Sequence, residues 1–176
     1  MTAIRGRLDR SSLHPGSSIP TGYPILIPGR ESVVTIARFA ESSISGPSRE
    51  ERALIDTGST DTVVHPQLAK DLGLQATDYE EKAYDVDKGQ EVPSPIYHVC
   101  LTISARNGDV WTYAEWSDLY VAERPNPYSH LFRLIIGNDI LQSCRFTYDG
   151  PAGSFALELP EESVPPYVRV MSSSRG

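Results

Sequence analysis

Asn107-Gly108 separates two runs of alternating polar and apolar residues, Cys100 to Ala105 and Val110 to Trp116. Asn-Gly is the strongest short-range hairpin signal, because tight two-residue turns need positive φ and these residues tolerate it. An antiparallel strand pair is therefore expected here, and further short runs bounded by turn residues follow the same logic. Val33 to Phe39, Ala53 to Ile55, Thr62 to Val64, Leu119 to Ala122, Leu134 to Ile136 and Phe155 to Leu159 all read as strands. Helix signals are confined to two short segments. Pro66 to Leu72 opens on a proline, carries Leu68, Ala69 and Leu72 on one face and stops at Gly73. Asn138 to Cys144 has Asp139 near its positive end and turns Ile140, Leu141 and Cys144 inward. The expected fold class is all-β, a small closed or partly open β-barrel with one or two short helices.

The 176 residues suit one domain. Residues 1–22 are rich in Ser, Pro, Gly and Arg without periodicity and read as a flexible N-terminal arm. The folded domain is expected over 23–160, followed by a C-terminal tail over 161–176 that Glu161-Glu162 and Pro165-Pro166 interrupt. A net charge of -7 with no basic cluster argues against a nucleic-acid partner. No apolar run approaches the roughly 20 residues that span a bilayer, so no membrane association is expected. The first ten residues lack the apolar stretch of a secretory signal, and cytoplasmic residence is the expectation. Cys100 and Cys144 match no zinc or redox spacing and read as buried thiols. The four histidines are scattered, so neither a metal nor a cofactor is expected.

Chemistry is concentrated in Ala53-Leu54-Ile55-Asp56-Thr57-Gly58-Ser59-Thr60. An apolar strand delivers an acid into a turn of small hydroxylated residues, and Gly58 permits close backbone approach to the carboxylate. Taken alone, Asp-Thr-Gly is a common turn, since Asp bonds its own backbone and Gly accepts positive φ. A second segment changes the balance: Leu134-Ile135-Ile136-Gly137-Asn138-Asp139 is a bulky apolar strand that halts at a glycine and enters a helix.

Together, Leu54-Ile55-Asp56-Thr57-Gly58-Ser59 and Ile135-Ile136-Gly137 resemble the retropepsin-like aspartic proteases. The resemblance spans roughly residues 23–159 and implies a β-barrel of retropepsin type with one active-site loop per chain. It implies Asp56 as the catalytic acid, Thr57 as the residue that interlocks with its symmetry mate, and Gly58 as a donor to substrate backbone. Ser59 would bond the outer carboxylate oxygen, and Ile136-Gly137 would pack under the loop. A flap hairpin is implied at about Tyr84 to Val92, which puts Val86, Asp87, Lys88 and Gly89 beside substrate with Gly58 and Thr60. The loop from Pro125 to His130 would line the groove. Many family members carry an Asp two residues past the first glycine and an Arg just after the second. Here those positions are Thr60 and Asn138, so both charges are absent together.

The chain holds one such motif. Asp149-Gly150, the nearest second candidate, lacks the hydroxyl residue and the apolar run. The resemblance therefore implies a homodimer in which two copies of Asp56 activate a water to hydrolyse a peptide bond of a polypeptide substrate. Strands around Ile25 and around Phe155 or Val168 are the candidate subunit contacts. Two other readings stay open on the residues themselves: a catalytically silent dimer that binds extended peptides, and a β-domain in which Asp56 only makes a turn.

Overall fold

Alternation of buried and open side chains settles which residues pair. In the computed structural model the elements run β1 (Ala3–Arg7), β2 (Ile25–Leu26), β3 (Ser32–Arg38), β4 (Ser48–Glu50), β5 (Ala53–Ile55), β6 (Val63–Val64), α1 (Pro66–Leu72) and β7 (Ala76–Asp85). They continue as β8 (Gln90–Asn107), β9 (Val110–Glu123), β10 (Leu134–Ile136), α2 (Asn138–Leu141), β11 (Arg145–Asp149), β12 (Ser154–Glu158) and β13 (Val168–Ser174). The structure describes residues 3–7, 25–26, 32–39, 48–85, 89–107, 110–126, 128–159 and 168–174.

The large sheet follows the order β2-β5-β10-β6-β9-β8-β3-β4, with β13 also on β9 and β7 also on β8. It curls into a half-barrel, which makes the expected barrel a partly open one. Its concave core holds Val34 and Ile36 of β3, Val99, Leu101 and Ile103 of β8, and Trp116 and Val121 of β9. A separate sheet, β1-β12-β11, adds Phe155 and Leu157 to the same core. The strands β8 and β9 form the long hairpin expected from Asn107-Gly108. Their pairing runs out to Asn107 with Val110, so the connection is Gly108-Asp109, which lies outside the described residues.

Helix α1 ends where the sequence signals place it. The His65 imidazole Nδ1 accepts the Gln67 N–H at 3.2 Å, Pro66 occupies the first turn, and Gly73 closes the helix at φ +61°. Leu68, Ala69 and Leu72 face the core.

Several expectations are corrected. Ala3–Arg7, read as part of the arm, pairs with β12, and Val168–Ser174, read as part of the tail, pairs with β9. Both are strands joined by backbone bonds, which need no local hydrophobic pattern. The segments 110–116 and 119–122 form one continuous strand. The helix from Asn138 stops at Leu141, and residues 142–144 turn into β11. The strand around Phe155 is the central one of its sheet, and β1 and β11 are the outer strands among the described residues. The strands β7 and β8 also extend well beyond the expected flap, with Pro93 and Pro95 inside β8 paired to Lys82 and Glu80.

Candidate active site

Three short strands carry the acid. β10 lies between β5, to which it is parallel, and β6, to which it is antiparallel. Ile55 and Ile136 are registered partners, both buried. The strand β5 releases the chain at Asp56, whose amide donates to the Ile136 carbonyl at 3.1 Å. The loop then turns tightly: the Ser59 amide donates to the Asp56 carbonyl at 3.2 Å, and the Gly58 amide donates to the Asp56 carboxylate Oδ1 at 2.9 Å. A Cβ on Gly58 would lie 3.2 Å from that same oxygen, so glycine is what allows the amide so close. Asp56 is partly buried, and Thr57 and Gly58 are exposed at the apex.

The second motif locks the loop from beneath. Asn138 and Asp139 donate their amides to the carbonyls of Ser59 and Thr60 at 2.9 and 3.1 Å, and the Asn138 side chain donates to the Thr57 carbonyl at 3.0 Å. Asn138 thus ties the two motifs together as a neutral group. Gly137 is packed so tightly that a Cβ there would sit 2.4 Å from the Asp61 carbonyl. Deeper still, Thr62 is fully buried and satisfied. Its hydroxyl donates to Asp139 Oδ1 at 2.7 Å and accepts the Gly137 amide at 3.1 Å, while its own amide donates to Asp139 Oδ2 at 2.9 Å. Burial raises the Asp139 pKa, opposed by the bonds from Thr62 and Ile140 and assisted by nearby Asp61.

Ser59 departs from its expected role. Its hydroxyl donates to the Asp61 carbonyl at 2.7 Å, bracing the loop rather than the Asp56 carboxylate. Thr60 is exposed and held through its carbonyl. Gly89 sits at φ +64° just before β8, and Val86, Asp87 and Lys88 lie outside the described residues. Asp149, in the rejected second candidate motif, accepts the Ala152 amide through Oδ1 at 2.9 Å.

The Thr62–Asp139 pair was not foreseen. Asp139 read only as a helix-dipole residue, and nothing local ties it to a threonine 77 positions away. A second unforeseen network lies at the other end of β10. Arg133 donates to the buried Glu51 through Nη2 and Nε and to Asp71 through Nη1 at 2.8 Å.

The sequence model of the aspartyl protease family matches residues 40–113, which include the whole Asp56 loop. The chain is similar to the retropepsin-like aspartyl proteases. Among solved structures it is similar to a retropepsin-like aspartic protease from Rickettsia conorii, at 15% identity over 96% of this chain and 93% of that one, with a TM-score of 0.48. No curated protein matches the sequence. Among the described residues, no helix is long and apolar enough to cross a membrane.

Proposed function

We propose that the chain is an aspartic endopeptidase that acts as a homodimer, with a water held between the Asp56 carboxyls of the two subunits. The observation that carries the reading is the Asp56 carboxylate itself, fixed by the Gly58 amide yet left partly open at the apex of a braced loop. A turn-forming aspartate needs no support of this depth beneath it.

Two carboxylates about 3 Å apart at an effective dielectric near 20 would repel by about 5 kcal/mol if both were ionised. The pair would therefore share one proton, as the paired acids of aspartic proteases are known to do. The ionised member takes a proton from the water as general base. The water attacks the scissile carbonyl while the protonated member donates to its oxygen, and no covalent intermediate forms. Thr57, exposed beside the acid, would meet its partner-subunit counterpart. Gly58, Thr60 and the turn that includes Gly89 would contact substrate backbone. The outer strands of the small sheet, β1 and β11, would be candidates for contact with a second copy.

Asp56→Asn tests the reading. Loss of cleavage of a peptide library by at least about 100-fold, with the fold and peptide binding intact, is the expected result. Binding without cleavage in both proteins would instead favour a silent peptide-binding dimer. A chain that stays monomeric in sedimentation, with or without peptide, would refute the shared acid pair.

A further inference from the structure

The open face that carries Asp56 continues away from it. Glu51, Ala53 and Ile55 are buried, whereas Arg52 is exposed and Leu54 and Asp56 are partly open, the period-two alternation of a strand. The parallel register sets Leu54 beside Ile135, and Arg52 and Arg133 are the residues that precede the registered pair Ala53 and Leu134. Moving back from the acid, the face first offers an apolar step, where Leu54 and Ile135 pack on Leu131 and Phe132. Next comes a cavity of about 620 Å³ between residues 48–52 and 129–133. Its volume is in the usual range for ligand pockets. At about 3.3 Å per residue, Arg52 lies roughly 13 Å along the strand from Asp56, about four residues of extended peptide.

Most of the charges lining this cavity are already paired: Arg133 is held by Glu51 and, at 2.8 Å, by Asp71. Arg49, Arg52 and Arg133 stand against Glu50 and Glu51. Glu51 is buried and engaged by Arg133, and Arg49 lies 3.9 Å from Asp71. Among the described residues Arg52 makes no hydrogen bond or ion pair, and exposed Glu50 is the one acid of the lining not already engaged.

We propose that this cavity is an acid-selecting subsite. It takes an Asp or Glu side chain of a bound extended polypeptide, three or four residues from the bond over Asp56, and Arg52 is the selecting residue. The proposal rests on the peptide-hydrolase reading and adds to it the side chain that is chosen. In a two-fold dimer the cavity occurs once on each side of the acid pair, so selection falls on both sides of the cut.

The test is to digest denatured-proteome peptides with the wild-type chain and with Arg52→Glu, and to sequence the new termini. Asp and Glu should be enriched about fivefold three or four residues from the cut on both sides, as expected of a partly exposed ion pair. In Arg52→Glu the enrichment should pass to Lys and Arg. Cleavage without charge preference at those positions, or a preference that Arg52→Glu leaves unchanged, overturns the subsite and leaves hydrolysis standing. Failure to cleave any peptide counts against hydrolysis, and the subsite is then decided by binding alone. In that assay the Asp56→Asn chain is titrated with fluorescent peptides that carry a central Phe-Leu and, further out on each side, either Glu or Lys. Tighter binding of the Glu peptide, reversed by Arg52→Glu and lost in about 0.5 M salt, supports the subsite. Equal affinities overturn it.

Discussion

The carboxylate of Asp139 receives both the backbone amide and the hydroxyl of Thr62, and that hydroxyl in turn accepts the amide of Gly137. The Gly137 amide, the Thr62 hydroxyl and the Asp139 carboxylate are thereby satisfied together beneath the Asp56 loop. A polar network of this kind holds its members in one geometry, because each broken bond leaves a costly buried orphan.

Thr62→Val keeps the shape and removes the hydroxyl. It leaves the Gly137 amide unpaired and takes one of the bonds to Asp139. The expected loss is about 2–3 kcal/mol of unfolding free energy, read as a lower urea midpoint at unchanged slope. A change below about 0.5 kcal/mol would mean that the network does not hold the loop.

Gly137→Ala and Gly73→Ala separate two different reasons for glycine. At Gly137 the new methyl would overlap the Asp61 carbonyl, so the backbone under Asp56 must move. About 1–3 kcal/mol of destabilisation is expected, together with loss of any activity that depends on Asp56. At Gly73 there is open space, and the cost is only that of positive φ, about 1 kcal/mol, with activity unchanged. Thermal melts and a peptide-cleavage assay on both variants check the contrast.

His65 makes the stability depend on pH. Its pKa is lowered, first by burial and then by the Arg133 charge, with Glu123 opposing. Because the folded value lies below the unfolded one, its contribution is complete above about pH 6.5 and is lost as pH falls through the folded value. Protonation also removes the Nδ1 lone pair that caps α1, worth about 1 kcal/mol. Tm should therefore fall on acidification below about pH 6.5, and His65→Asn, which keeps a capping oxygen but cannot take up the proton, should flatten that part of the curve. The raised pKa of Asp139 works in the opposite sense, since its contribution is present at low pH and declines as pH rises. For that reason the comparison with His65→Asn, rather than the raw slope, is decisive.

The two thiols should be unreactive in the folded chain. Burial pushes Cys100 up to about 11, with nearby Glu115 adding to it, and burial pushes Cys144 up to about 11 as well. Iodoacetamide at neutral pH should label neither until denaturant is added, because the thiolate is the reactive form. Rapid labelling of native Cys100 would contradict its burial.

Much of the site was readable because its signals are local. Asp56 and Gly58 are two residues apart, and the amide-to-carboxylate bond between them follows from the turn alone. The start and stop of α1 were likewise written in Pro66 and Gly73. Ser59 shows the limit of such reading: its hydroxyl had several acceptors within reach, and the path of the chain through Asp61 selected one. The strands β1 and β13 lay beyond that limit as well, because an added strand is held by backbone bonds that any residues can make.

By itself, the sequence determined the short strands, the hairpins, the capped helix and the acid-bearing turn, all of which depend on neighbours a few residues apart. Tertiary structure alone decided that β10 runs parallel to β5, that Thr62 meets Asp139, and that Arg52, Leu54 and Asp56 share an open face. Strand partners are chosen by burying apolar faces across the whole sheet, and no local period carries the address of a residue 77 positions distant.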